Sequence, residues 1–327
     1  MFELTPQDDF AHATGQGELW RESFAFDFYD PATRLSGCGV MGVNPNQETG
    51  DCIFALWRDD IVIAKSGKWD FRVPRDIGEE RQYFGPLVFR QIAPFKTWEI
   101  SYDDGYCRLE LAFDSIQPPY SWLESGHGEE HPGSHYYHQQ GHYRGVIRVG
   151  KESIPVQAVG AREHGWGPDA RANVRRWFSV AAQFSEKFAF QALQVGLRDG
   201  RELVFGYVFR GGHNDIVQRS RLSATYTLRS SAPSGCSLEL GAASGERLPV
   251  VARVLNAFNA SFQEQTLPGF HFSCAAEFQA GGQKGFGRVN AFWRGSKERP
   301  EEWAIEPPSA LPENLKKLGS DFDETVY

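Results

Sequence analysis

Residues 96–114 read KTWEISYDDGYCRLELAFD, and this stretch decides the fold class. Within 96–102, Trp98 and Ile100 alternate with Thr97 and Glu99, the period-two pattern of a strand with one buried face. Asp103-Asp104-Gly105 is a turn signal, and residues 107–114 resume the alternation, so the segment predicts a β-hairpin. The same pattern extends in both directions. Upstream, strand-length apolar runs occur at 24–29, 39–43, 52–57, 61–65 and 87–93. Asp30-Pro31, Asn44-Pro45-Asn46 and Arg58-Asp59-Asp60 stand as breakers among them. Downstream, 142–149 and 152–159 are joined at Gly150-Lys151. A second series follows at 177–184, 189–197, 202–210, 216–228, 237–240, 250–262, 270–278 and 285–294, with Asp199-Gly200 and Ser185-Glu186-Lys187 as turns. Two consecutive β series, divided near 168–176, predict an all-β chain of two meandering sheets that each close into a barrel.

Composition agrees with this. The chain has 327 residues with 41% hydrophobic and 14% aromatic content, enough for two cores, and its 34 Gly and 18 Pro suit a turn-rich β protein. A formal charge of −8 argues against a phosphate-binding surface, so no nucleic-acid partner is expected. The five cysteines are odd in number and form no CxxC pair, which reads as reduced, buried thiols. The acidic start MFELTPQDDF has no apolar run, and no stretch is long enough to span a bilayer, so the expected location is cytoplasmic. A homodimer is compatible with the sequence. Residues 117–136, rich in Pro, Gly, His and acid, predict a long loop, either functional or a surface excursion. In 309–319, Leu311, Leu315 and Leu318 line one face of a short helix, closed by Lys316, Lys317 and Gly319.

The densest chemical constellation is 160–168, GAREHGWGP. On an extended backbone His164 and Trp166, two residues apart, face the same side. An imidazole is the side chain suited to moving protons near neutral pH. An indole face stabilises developing positive charge. The alternative is a buried polar plug with Arg162 and Glu163 as an ion pair. The second constellation is 135–145, HYYHQQGHYRG, where Tyr137, Gln139 and Gly141 share one face and His138, Gln140 and His142 the other. Alternation splits its histidines between faces and no carboxylate or Cys lies at ligand spacing, so a cavity-lining polar strand is expected and no metal. No GxGxxG follows directly on a strand, and there is no Walker Gly-Lys-Ser/Thr, no GxSxG and no HExxH, so no cofactor is expected.

The run Arg162-Glu163-His164-Gly165-Trp166-Gly167-Pro168 resembles the Asp-His-Ser-Trp-Gly signature of the AttH-like and carotenoid 1,2-hydratase (hydroxyneurosporene synthase) superfamily. Further likeness lies in Gln139 through Gly145, in Trp20-Arg21-Glu22-Ser23-Phe24 with Asp27, Asp30-Pro31 and Pro45-Asn46, and in Pro94-Phe95-Lys96-Thr97-Trp98 leading to Pro118-Pro119. The resemblance implies two lipocalin-like (calycin) domains, with the signature at their junction and an apolar ligand within or between them. The expected boundaries are 1–170, 171–308, and a C-terminal helix and tail at 309–327. It also implies proton chemistry on an isoprenoid- or polyketide-like substrate: hydration or dehydration, isomerisation or cyclisation. The signature's Asp is Glu163 here and its Ser is Gly165. Where the hydratases use Tyr and Asp after the signature, Phe188 through Gln194 offers neither. Where relatives often carry Glu, this chain has Asn290.

The expected catalytic set is therefore His164 as acid and base, with Glu163 or Arg162 setting its tautomer. Trp166, Gln139, Tyr137, His138, Trp177, Gln191 and Asn290 are the expected substrate-binding residues. A non-catalytic carrier of a lipophilic metabolite is the alternative, since an apolar barrel needs no acid.

Overall fold

A computed structural model describes residues 3–59, 61–73, 81–84, 86–126, 134–169, 171–227, 232–260 and 269–294. The C-terminal helix expected at 309–319 and its tail lie outside these residues. The chain is all-β and divides into two compact units, one of residues 1–172 with 211–214, the other of 173–210 with 215–327.

The first unit holds β1 (Trp20–Asp30), β2 (Leu35–Asn44), β3 (Thr49–Arg58), β4 (Ile61–Arg72), β5 (Arg81–Phe84), β6 (Leu87–Ala93), β7 (Thr97–Asp103), β8 (Cys107–Ser115), β9 (Tyr120–Ser121), β10 (His135–Val149) and β11 (Glu152–Pro168). They form one curled antiparallel sheet ordered β4-β3-β2-β1-β11-β10-β8-β7-β6-β5, with the short β9 on β10. The 96–114 hairpin is β7–β8, paired from Thr97↔Asp114 to Asp103↔Arg108. Within the expected loop at 117–136, β9 and a 3-10 turn, Trp122–Ser125, precede β10, which begins at His135.

The second unit is a closed eight-stranded antiparallel barrel of β12 (Val174–Ser185), β13 (Phe188–Leu197), β14 (Glu202–Arg210), β15 (His213–Tyr226), β16 (Pro233–Ala242), β17 (Arg247–Asn259), β18 (Phe270–Ala280) and β19 (Gln283–Trp293). Phe178, Val180 and Ala182 of β12 and Val289, Ala291 and Trp293 of β19 belong to its core. These are alternate residues, as a one-sided wall requires. The two units are thus lipocalin-like, as expected; the second is a closed barrel, whereas the first is, among the described residues, a curled sheet in place of the closed barrel expected. Among the described residues no helix is long and apolar enough to cross a membrane.

In the first unit the core face is read along β1, where Phe24, Phe26 and Phe28 are all buried. The sheet coils tightly where Phe28 of β1, Gly160 of β11 and Gly141 of β10 stand side by side. A Cβ on Gly160 would collide with the Asp27 carbonyl oxygen and the Phe28 Cα; one on Gly141 would meet the Asp114 carbonyl oxygen. Only glycine lets neighbouring backbones approach so closely. This crease lies beside the strand ends that carry the polar constellation.

Candidate functional site

Three adjacent strands place nine side chains in a grid on the core face of the first unit. Residues opposite one another are Phe26, Arg162 and Gln139; then Phe24, His164 and Tyr137; then Glu22, Trp166 and His135, on β1, β11 and β10 respectively. Alternation puts Arg162, His164 and Trp166 on this face together, and the two rings lie 5.0 Å apart between centroids. Glu163 and His138, also opposite one another, point to the other face, where they approach to 3.9 Å.

Glu163 is therefore not the group that sets the His164 tautomer. That partner is Glu22, which the sequence reading passed over. His164 Nε2 lies 2.6 Å from Glu22 Oε1, with side-chain exposures of 0% and 1%. The Arg162–Glu163 ion pair of the alternative, polar-plug reading is likewise replaced. One residue apart on a strand, the two side chains leave by opposite faces, and Arg162 pairs with Asp9 instead.

Asp9 and His12 belong to the segment before β1, which lies across the grid. A 3-10 turn at Pro6–Asp9 delivers Asp9, fully buried, into a cluster of donors. Its carboxylate accepts from Gln91 Nε2 (2.7 Å), the Phe95 backbone N–H (2.7 Å), Trp98 Nε1 (3.1 Å), Arg162 Nη2 (2.6 Å) and the Tyr137 hydroxyl. Burial works to raise the Asp9 pKa, but the Arg162 charge and these donors outweigh it and hold the carboxyl below its ordinary range. The Arg162 guanidinium also lies over the Trp98 ring at 4.5 Å and the Tyr137 ring at 5.0 Å. Gln139 completes the frame: Oε1 accepts from Arg162 (3.1 Å), while Nε2 donates to the Phe95 and Gln117 carbonyls and to Ser115 Oγ. Tyr137 and Gln139, expected to face a ligand, here hold Arg162 and Asp9 in place.

His12 reaches the other end of the grid. Its Nδ1 lies 3.0 Å from Glu22 Oε1, which also accepts the His12 backbone N–H, and its Nε2 lies 3.4 Å from Asp8 Oδ1. The His12 ring stacks on Trp166 at 3.9 Å, and His135 stacks on the same indole at 5.1 Å. The indole surface, expected to face a substrate cation, is taken up by imidazoles in this state.

The protonation states follow from burial and charge. Burial disfavours a charged His164 and pulls its pKa down, and Glu22 only partly counters this. For Glu22 itself, burial works upward, but hydrogen bonds from His12 and His164 prevail and keep the carboxyl low. The pair is thus a carboxylate beside a neutral imidazole, with the His164 proton on Nε2. That leaves the lone pair on Nδ1, a buried atom without a partner among the described residues; Glu22 Oε2 is likewise buried and unpartnered among them. An imidazole whose tautomer is held by a carboxylate is a competent base, and once protonated it becomes an acid stabilised by the same carboxylate.

The remaining expected residues lie in the second unit. Trp177 stacks on Phe292 at 4.1 Å and meets His271 edge-on at 5.5 Å. Gln191 of β13 is buried, and Asn290 of β19 stands between Ser179 and Ser273 in register. Each carries a buried side-chain oxygen without a partner among the described residues. All three alternate with core residues and so leave by the wall's other face.

The chain belongs to the family described as a domain of unknown function, DUF7064, whose model matches residues 5–295. A crystal structure from Nitrosomonas europaea described as a candidate AttH is similar with TM-score 0.68 at 16% identity, over 88% of this chain and 96% of that one. CghA, solved with Sch210972, is similar with TM-score 0.61 at 14% identity, over 90% and 96%. Kievitone hydratase from Nectria haematococca is similar with TM-score 0.63 at 10% identity, over 86% and 90%. No curated protein matches the sequence. At these identities the likeness is one of fold, and at that level it meets the AttH-like resemblance seen in the signature.

Proposed function

We propose that this DUF7064 protein is a cofactor-independent enzyme that moves a proton on a hydrophobic, isoprenoid- or polyketide-like small molecule, with Glu22 and His164 as the proton-handling pair. The observation that carries this reading is the 2.6 Å contact between His164 Nε2 and Glu22 Oε1, fully buried, with Nδ1 unpartnered among the described residues. His164 Nδ1 takes a proton from the substrate, Glu22 stabilises the imidazolium, and Nδ1 returns a proton at another carbon or to a leaving hydroxyl. Returned to a carbon, the proton completes an isomerisation, or a cyclisation when the deprotonated group bonds to the substrate's own double bond. Delivered to a leaving hydroxyl it completes a dehydration, and the reverse, with water giving its proton to Nδ1 as its oxygen bonds to carbon, is hydration. Arg162, neutralised by Asp9, is a positioning residue, and Trp166 forms the aromatic wall beside His164. The fold is shared with a protein named as a hydratase and with one solved with Sch210972, which supports a small-molecule site. Because His12 covers Glu22 and Trp166, substrate entry requires the segment before β1 to shift.

The test is solvent exchange. A panel of unsaturated isoprenoid and polyketide compounds is incubated with the protein in D2O, and recovered substrate and product are examined for carbon-bound deuterium. Incorporation by wild type, falling roughly 100-fold or more in His164→Ala and in Glu22→Gln, is the expected result. Full activity in His164→Ala overturns the assignment. Tryptophan quenching by ligands without any deuterium uptake identifies a carrier instead.

A further inference from the structure

The Glu22–His164 pair has a third member that proton transfer does not use. We infer that His12, Glu22 and His164 form a binding site for a divalent first-row transition metal ion of the zinc class. Their ligating atoms all lie within 4.8 Å of one another, and among the described residues no other such trio converges. Glu22 Oε1 is 3.0 Å from His12 Nδ1 and 2.6 Å from His164 Nε2. A tetrahedral zinc ion bound at about 2.1 Å sets its donors roughly 3.4 Å apart, so the two carboxylate contacts must open by less than about 1 Å, while the imidazole nitrogens already stand within 4.8 Å of one another. Two imidazoles and one carboxylate are a donor set for zinc-class metals rather than for Ca2+ or Mg2+, which take oxygen.

Three independent features point the same way. Glu22 is 1% exposed, and while Oε1 receives both imidazoles and the His12 backbone N–H, Oε2 has no partner among the described residues. His12 has the outer support that metal-bound histidines usually show: its far nitrogen, Nε2, is held by a carboxylate, Asp8 Oδ1 at 3.4 Å. The nearby Arg162 charge is already met by Asp9, so the trio keeps the charge of Glu22. The ligands are also oriented from outside. His164 stacks on Phe24 at 4.1 Å and His12 on Trp166 at 3.9 Å. His12 is 18% exposed, which gives an ion a route in and leaves a coordination position toward solvent. Metal at His164 Nε2 would place that ring's proton on Nδ1. The metal-bound cluster and the proton-handling pair are therefore alternative states of the same groups, and the inference stands on the geometry alone.

The 327-residue chain, stripped with a chelator, is titrated with Zn2+ by calorimetry and with Co2+ by visible absorption. The expected result is one ion per chain, and with Co2+ the strong d–d bands of a four-coordinate site. His12→Ala, a partly exposed change that leaves the Glu22–His164 contact in place, should lose at least about 100-fold in affinity, and Glu22→Gln should do the same. Exposed His213→Ala should bind as wild type does. Absence of saturable one-to-one binding overturns the inference. So does unchanged affinity in His12→Ala, or an equal loss in His213→Ala. Since no arm reads turnover, failure here leaves the acid–base reading standing. Failure of deuterium exchange with metal binding intact overturns only that reading.

Discussion

Arg162 Nη2 donates to Asp9 Oδ1 at 2.6 Å, tying strand β11 to a segment 153 residues earlier, with exposures of only 1% and 0%. A pair this deeply buried is costly to break, because the surviving partner remains as an uncompensated charge.

Asp9→Ala is therefore expected to destabilise the protein by about 3–5 kcal/mol, read as a shift in urea midpoint. Arg162→Met alone should be similarly damaging, since it leaves the Asp9 carboxylate buried. The double variant should recover much of the loss, because no charge is then left unpaired. Strictly additive single-variant effects would show that the two residues are not coupled.

Stability should fall on the acid side in two stages. Burial pulls the His164 pKa below its ordinary 6.5, so below that pH the unfolded chain takes up a proton that the folded chain refuses. Stability is then lost as pH falls, by up to about 1.4 kcal/mol per pH unit. The carboxyls of Glu22 and Asp9 are held below their ordinary 4.5 and 3.8, so their contribution is present above those values and lost as pH falls below them. Urea midpoints measured from pH 7.5 to 3.5 should show both stages in wild type and a weaker first stage in His164→Gln. An identical first stage in the variant would assign it to other groups.

Gly160→Ala should cost at least about 1–3 kcal/mol, although alanine suits most strand positions no worse than glycine. The new methyl would fall on the Asp27 carbonyl and the Phe28 Cα, both backbone atoms that cannot swing aside. A thermal melt unchanged from wild type would mean that the sheet relaxes at this crease.

All five cysteines are free and buried. Burial pushes the Cys52 thiol up to about 12 and Cys107 to about 11, and raises Cys236 and Cys274 strongly. Reactivity needs the thiolate, so the native protein should titrate no thiol with a disulfide reagent at neutral pH and five after unfolding. Fast labelling of any one in the native state would contradict its burial.

Much of the candidate site was legible in strand alternation. The shared face of His164 and Trp166, and that of Tyr137 and Gln139, follow from period-two spacing. Glu22 also carried a signal: it lies in phase with Phe24, Phe26 and Phe28, a carboxylate on an otherwise apolar face. Such a group needs a buried partner. Asp9 and His12 carried none, because the segment before β1 has no periodicity to say which face it covers.

By itself the sequence determined that the chain is all-β, where its hairpins turn, and which side chains share a face. Those properties come from local backbone geometry, in which alternate residues leave on opposite sides and Gly or Asp reverses the chain. Only the tertiary structure decided which charge meets which. Arg162 and Glu163 are neighbours in sequence yet separated by the thickness of the sheet, while Asp9 and Glu22 arrive from the far end of the chain. Partner choice is settled by the cost of burying a charge unpaired, and that cost exists only once the strands have closed around it.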